Sequence, residues 1–495
     1  MLSLLSRPKA PDFPPDRDWL NVSRPVSLAE LAGRVVVLHF WSYSSIECLS
    51  VLPVLQYLQK RYRNRLLVIG VHCAKFPAQR ERRNLQNIAW QYDLKYPLFN
   101  DRAFETWKAY SVRDWPTFVL VDQSGNIASY FSGREKVEFV VHQVERLMEE
   151  KPQSVSPPPI TTRRRRRPCG PLNFPSVVLA DTRSKRLFVT DTGRNRVLIC
   201  DFSGKRLDSI GSGLAGRRDG TFEQAAFNLP RGLSLDGDHL YVADTGNHLL
   251  RRCNLEKRIV STVAGTGEPG TRPGGFTPGK PLQTSLSSPW GLCRLERSLF
   301  MTMPGVHQIW LFDLATQELG AYAGTGFAGR IDGSGYEAGF DKPTAVASDR
   351  QYLYVTDSEG SAVRRVSVEV HPRVSTLVGL DPFEFGDEDG PVGTARMQHP
   401  SGITCAPNRL LVSDSYNQKI KVLSLNGEAI RVETLFGNGA AGFKDGRPAS
   451  FDDPSGLSRA GYRLFIADTN NHAIRVANLR SGVVTTLEIA AEAEF

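Results

Sequence analysis

Seven cysteines, from Cys48 to Cys405, are scattered through 495 residues in an odd number and at irregular spacing. That pattern excludes a disulfide framework and fits a reducing, cytoplasmic compartment. What is left for the cysteines is thiol chemistry, in which the thiolate is the nucleophile. Cys48 closes the segment WSYSSIEC, three residues after Ser45, and Glu47 beside it would oppose thiolate formation if close in space. Cys73 ends a second apolar run, Leu66 to Cys73, expected to lie beside Val35 to Phe40. Parallel strands are about 4.8 Å apart, so Cys73 falls at the sheet end where the Ser45–Cys48 helix starts. It is a candidate resolving thiol for a sulfenic acid on Cys48. Two unrelated buried thiols is the bland alternative.

Other chemistry finds less support. No His/Cys cluster has metal spacing, and no Ser-His-Asp arrangement can be argued, so neither metal nor cofactor is expected. Four segments match G-x-G-x-x-G: GSGLAG (211–216), GTGEPG (265–270), GTGFAG (324–329) and GNGAAG (437–442). Each follows a strand but opens no helix, and a dinucleotide's pyrophosphate needs a helix N-terminus. They are read as turns between repeats.

The net charge of +9 is unevenly placed. Residues 1–150 hold 20 Lys+Arg against 16 Asp+Glu, residues 151–172 hold six basic and no acidic residues, and residues 173–495 come to −1. A large basic footprint is absent from the last part, which disfavours nucleic acid as its partner. No window approaches the apolar length that spans a bilayer, and MLSLLSRPKAPDFPP lacks a signal-length apolar core. No membrane is expected.

The elements that position these residues divide at 151–172, whose Pro, Ser, Thr and Arg content, with the run Arg163 to Arg167, reads as an extended linker. Before it, in 1–150, strands and helices alternate. Val35 to Phe40 and Leu66 to Val71 are continuous apolar strands, and Ile46 to Lys60 is a helix with a kink at Pro53. Helices are predicted over about 78–92 and 135–150, and Phe118 to Asp122 pairs with Ile127 to Phe131 around Ser124-Gly125-Asn126. This is a mixed sheet covered by helices on both faces.

After the linker, in 173–495, a proline opens each of six units: Pro175, Pro230, Pro289, Pro343, Pro400 and Pro454, spaced by 55, 59, 54, 57 and 54 residues. Each unit continues into a β-rich run ending in Asp191, Asp244, Asp357, Asp414 or Asp468, with Met303 in the third. Four short strands per unit and six units predict a closed six-bladed propeller, which removes exposed sheet edges.

The turns DTGRN (Asp191 to Asn195), DTGNH (Asp244 to His248) and DTNNH (Asp468 to His472) resemble those of the NHL repeat family. The first 150 residues resemble the thioredoxin-like superfamily, through PDFP at 11–14, SLAELAGRVVVLHFW at 27–41, Pro53 and WPTFVLVDQSGNI at 115–127. That resemblance implies a cis-proline turn at Trp115-Pro116, presenting backbone groups to an extended chain, and a CxxC motif at the positions of Ser45 and Cys48. The attacking Cys is replaced by Ser45, and a Ser hydroxyl does not substitute for a thiolate. The Ser45-to-Cys48 spacing also fits the minimal Thr/Ser-x-x-Cys of peroxiredoxins. The fold expected is therefore multidomain, an α/β thioredoxin-like domain followed by an all-β NHL propeller. The same order of modules, with VIGVHCAKFP at 68–77, resembles a family whose members carry further C-terminal β structure, whereas this sequence stops at Phe495.

Three functions stay open. The first is a binding scaffold for a protein or peptide, whose propeller face carries Asp191, Asp244, Asp357, Asp414 and Asp468. The long connections with Arg217, Arg330 and Lys444 are expected at that same end, where loops on a rigid scaffold do the recognising. The Asp side chains have a plainer role too, as acceptors for nearby backbone amides in the turns. The second is a thiol oxidoreductase or peroxidase working through Cys48, so whether the protein is an enzyme is not fixed by sequence. The third is RNA binding by the propeller.

Overall fold

A computed structural model describes residues 7–14, 18–149, 170–379, 381–425 and 430–490. The chain divides into two compact units, Met1–Arg167 and Pro168–Phe495. The predicted linker lies outside the described residues except for 170–172, as does Cys169.

In the first unit the apolar runs become the central strands of a six-stranded sheet in the order β1-β4-β3-β2-β5-β6. Strand β2 (Val35–Trp41) is buried at every position, because both its faces are covered. It runs parallel to β3 (Leu66–His72), with Val35 opposite Leu66 and Trp41 opposite His72, and antiparallel to β5 (Thr117–Val121). Strand β6 (Ile127–Ser132) completes the expected hairpin. The kink predicted at Pro53 is a break at Val51, between α1 (Ile46–Ser50) and α2 (Leu52–Tyr62). Helix α3 (Arg82–Gln91) and the last helix, α5 (Val137–Glu149), occupy the expected positions. Three short elements were not legible: β1 (Asp18–Leu20), β4 (Leu98–Asn100) and α4 (Glu105–Ala109). Pieces this short carry too few residues for a period to show.

The second unit is the six-bladed propeller. Its first blade uses Pro175–Asp181, Arg186–Asp191, Arg196–Asp201 and Arg206–Ile210 as antiparallel neighbours, and the other five repeat the plan. Apolar side chains form six layers, one between each pair of adjacent blades. One layer joins Phe465 and Ile474 of the sixth blade to Leu187 and Val189 of the first.

Hydroxyl groups pin the blades to one another. The residue after each turn aspartate donates to the carbonyl of the proline that opens the next blade: Thr192 to Pro230 at 2.7 Å, Thr245 to Pro289 at 2.6 Å, Ser358 to Pro400 at 2.6 Å, Ser415 to Pro454 at 2.7 Å, and Thr469 to Pro175 at 2.9 Å. The third blade has Pro304 there, and Thr302 instead donates to Thr344 O at 2.6 Å. Among the described residues the ring closes without exchanging a strand between its ends.

Candidate functional site

In the first unit the candidate chemistry lies where β2 hands over to α1. Ser45 is the helix N-cap: its Oγ accepts from the Cys48 amide at 3.4 Å and donates to Glu47 Oε2 at 2.9 Å. A hydroxyl in this position satisfies an amide that the first helical turn leaves open. The Cys48 side chain is completely buried. Cys73 follows β3, its amide donating to Trp41 O at 2.8 Å, and its Sγ donates to Val71 O at 3.7 Å. Burial pushes the Cys73 thiol well up, and the charges of Asp101 and Cys48 push the same way. Neither cysteine is in a disulfide among the described residues.

Beneath this loop runs a buried polar network that the sequence did not announce. His72 Nδ1 meets Asn100 Oδ1 at 3.1 Å, which requires the proton on Nδ1. Asn100 Nδ2 donates to the carbonyls of Gln79 and Arg80, and Gln79 Nε2 donates to Ser42 Oγ at 3.0 Å. Ser42 and Ser44 hydroxyls are 3.1 Å apart. His39 is stacked between Trp41 and Phe118, and burial holds its imidazole down to about 3 and that of His72 down to about 4. Both are neutral at pH 7.

The Trp115–Pro116 peptide bond is cis. Its neighbouring polar groups are already engaged within the unit: Asp114 Oδ1 takes the Trp115 amide at 2.7 Å, and Pro116 O accepts from Gly133. Asp114, the residue that takes the amide, was not singled out by the sequence.

In the propeller the five aspartates are not on a face. All five are completely buried, which corrects the expectation that their side chains meet a partner. One oxygen of each accepts a backbone amide at the start of the same blade: Asn173 at 2.6 Å, Asn228, Asp341 and Gln398 at 2.7 Å, and Asp452 at 2.8 Å. The other oxygen takes a cation. Arg251 Nη1 is 2.7 Å from Asp244, Arg364 Nη1 3.1 Å from Asp357, Arg475 Nη1 2.7 Å from Asp468, Lys421 Nζ 3.4 Å from Asp414, and Arg196 Nε 2.9 Å from Asp191. A carboxylate removed from water needs such partners. Burial nevertheless drives the carboxyl of Asp244 up to about 6, with Arg251 opposing it.

The cations reach on into the connections between blades. Arg251 Nη2 binds Asp219, Arg364 Nη2 binds Asp332 and Arg475 Nη2 binds Asp445, at 2.7, 2.9 and 2.6 Å. Those aspartates also hold Thr262, Thr376 and Thr486 on the outer strands. The signal for them was present as the Asp-Gly pair recurring in each long connection. In the third blade Met303 and Trp310 replace the aspartate and the arginine together, so no unpaired charge is left.

The turns and the connections share one end of the propeller, since Asn247 Nδ2 donates to Gly216 O at 2.6 Å and Asn471 Nδ2 to Gly442 O at 2.8 Å. The four G-x-G-x-x-G segments are those connections. Gly265, for instance, has φ +98, and a Cβ there would lie 2.4 Å from His248 O. Arg217 is exposed and pairs with Glu268 at 3.4 Å, whereas Arg330 is half-buried.

Comparison with known proteins agrees with both halves. A thioredoxin-like family model matches residues 33–127, and an NHL repeat model matches residues 227–253. NHL repeat-containing protein 2 of Gallus gallus is 36% identical over 525 residues, a match covering 97% of this chain and 71% of that protein. The chain belongs to the NHL repeat-containing protein 2 family. Protein SUPPRESSOR OF QUENCHING 1, chloroplastic, of Arabidopsis thaliana is 35% identical over 508 residues. That match covers 97% of this chain and 48% of the Arabidopsis protein, so the chain spans about half of it. The first unit alone is similar to thiol-disulfide oxidoreductase YkuV of Bacillus subtilis (strain 168), 23% identical over 145 residues, covering 29% of this chain and 97% of that one. Among the described residues no helix is long and apolar enough to cross a membrane, and no group of His, Cys, Asp and Glu could hold a metal ion.

Proposed function

We propose that this member of the NHL repeat-containing protein 2 family is a binding scaffold. Its propeller holds a protein or peptide partner at the end formed by the connections between blades, in a reducing, cytoplasmic setting. One observation carries the reading: Leu214, Phe327, Phe383 and Phe443, on four of those connections, are 71%, 72%, 78% and 59% exposed. Large apolar groups held in water on a rigid frame are characteristic of recognition surfaces. The buried aspartates serve this end indirectly, by fixing the backbone from which the exposed groups project. The first unit acts as a thioredoxin-like module without dithiol exchange, because Ser45 stands where an attacking thiol is needed.

The test compares proteins retained by the full chain with those retained by two variants. Leu214→Ser with Phe443→Ser alters the connection end. Ile259→Ser with Val370→Ser alters the opposite hairpin end, where those residues are 46% and 85% exposed. Partners lost only with the first pair support the reading. Equal loss with both pairs, or with neither, overturns it.

A second reading, thiol chemistry through Cys48, is favoured by the likeness to an oxidoreductase and by the helix N-terminus on which Cys48 sits. Turnover of a disulfide substrate by the unmodified protein, abolished by Cys48→Ala, would establish it.

A further inference from the structure

Among the cationic groups of the connection end, Arg330 is set apart by a guanidinium nitrogen that is buried without a partner. It makes no hydrogen bond or ion pair among the described residues, and its Nη1 is buried. The acids near it, Asp381, Asp357 and Asp332, attract it by charge without bonding it, and each already holds another group. Asp332 gives Oδ1 to Arg364 and Thr376 and Oδ2 to the Thr376 amide, Asp357 is held by Arg364 and the Asp341 amide, and Asp381 caps the Phe383 amide at 2.9 Å. Partial burial, and after it the like charge of Arg364, lower the Arg330 pKa against the pull of Asp381, Asp357 and Asp332. By contrast, Arg217 in an earlier connection has Glu268.

Arg330 also marks a meeting of two connections. A Cβ built on Gly379 would lie 3.2 Å from Arg330 Nη1, so the segment leaving the fourth blade passes against the guanidinium. Phe327 lies three residues before Arg330 and Phe383 four residues after Gly379, and these are the two most exposed phenylalanines of the described structure, at 72% and 78%. Ile331, next to Arg330, is 54% exposed. A guanidinium lacking a partner costs desolvation that a carboxylate would recover, and its planar fork suits a carboxylate in two-point contact. Apolar groups on the two segments that meet at Arg330 would help exclude water from that contact, as neutral contacts do around a hot spot.

We propose that Arg330, flanked by Phe327 and Phe383, is the anchor point for an extended segment of a partner protein that carries an acidic side chain between apolar ones. This rests on the reading of the connection end as the recognition surface and names the partner chemistry it selects. The carboxylate takes the free edge of Arg330, and the apolar neighbours of the acid pack on Phe327 and Phe383.

The test is selection from a displayed library of random linear peptides against the full chain. Enriched peptides are then synthesised and their binding measured by fluorescence anisotropy. The inference expects an Asp or Glu flanked by apolar residues, and losses of about ten-fold or more with Arg330→Glu and with Phe327→Ser, while Arg217→Glu has little effect. A Lys in place of the peptide's acid should recover binding to Arg330→Glu. Phe327 is exposed, so its variant keeps the test valid even if Arg330→Glu perturbs the fold. Peptides weakened by Leu214→Ser or Phe443→Ser but not by these changes would overturn the Arg330 anchor and leave recognition by that end standing. Failure to enrich, or insensitivity to every variant of that end, would overturn both. Self-association of the chain abolished by Phe327→Ser would identify a second copy as the occupant and overturn the inference.

Discussion

The Phe174 amide donates to His472 Nδ1 at 3.0 Å, across 298 residues of sequence, and so joins the last blade to the first. The same contact recurs around the ring with other side chains. Leu229 N donates to Asn195 Oδ1 at 2.9 Å, Ser288 N to His248 Nδ1 at 3.0 Å, and Asp453 N to Gln418 Oε1 at 2.6 Å. Acceptor and donor residues are both left-handed, as with His472 (φ 54) and Phe174 (φ 50). The fifth residue of the DTGNH-type turn is thus a clasp between blades.

The clasp at His472 predicts acid sensitivity. Burial and Arg194 hold its imidazole down to about 4 against an ordinary 6.5, and only the neutral ring can accept the Phe174 amide. The unfolded chain takes up this proton below about 6.5 and the folded chain only near 4, so this stability is intact above 6.5 and is lost as pH falls towards 4. His472→Ala should cost about 1–2 kcal/mol at pH 7. His472→Asn, copying Asn195, should retain most stability and flatten the acid limb. Denaturant unfolding across pH 4–8 checks both, and an Asn variant as weak as the Ala variant would refute the clasp.

Arg364 is buried between Asp357 and Asp332, so Arg364→Met leaves a buried carboxylate without its cation. A loss of about 3–5 kcal/mol is expected from breaking such a pair. Adding Asp357→Asn should recover part of it, because the third blade manages with Met303 and Trp310 in these positions. Urea midpoints of the single and double variants test this; a double variant weaker than the single would contradict it.

Ser45→Cys should restore dithiol behaviour to the first unit. The hydroxyl already sits at the helix N-cap, 3.4 Å from the Cys48 amide, so the introduced thiol would take the attacking position. After glutathione disulfide treatment, intact mass should fall by two hydrogens in the variant and not in the parent. Pairing Ser45→Cys with Glu47→Gln should quicken the reaction by removing the neighbouring negative charge. An unchanged mass in both variants would count against the match to a CxxC position.

Native thiols should be slow to alkylate. Cys48, Cys73, Cys200 and Cys253 are buried, and burial pushes the thiols of Cys200 and Cys253 up to about 12. Iodoacetamide at pH 8 should label these four only after unfolding, as read by peptide mapping. Rapid native labelling of Cys48, or a Cys48–Cys73 disulfide after mild peroxide, would instead revive the redox reading.

The sequence by itself determined both folds. The uninterrupted apolar runs at Val35 and Leu66 admit only a doubly covered sheet, and six prolines at near-equal spacing admit only a ring of like blades, because local pattern and repetition are properties of the chain. It also placed Ser45 at the position where the thioredoxin-like resemblance implies an attacking thiol. Tertiary structure decided which polar groups are spent and which are free. Asp244 and Asp468 looked like surface acids in the turns but are interior partners of Arg251 and Arg475, each seven residues further on. Arg330 resembled Arg217 in its connection until its buried guanidinium nitrogen proved to make no hydrogen bond among the described residues. Burial and hydrogen bonding depend on neighbours brought together across blades, and a side chain's remaining capacity to bind is what those neighbours leave over.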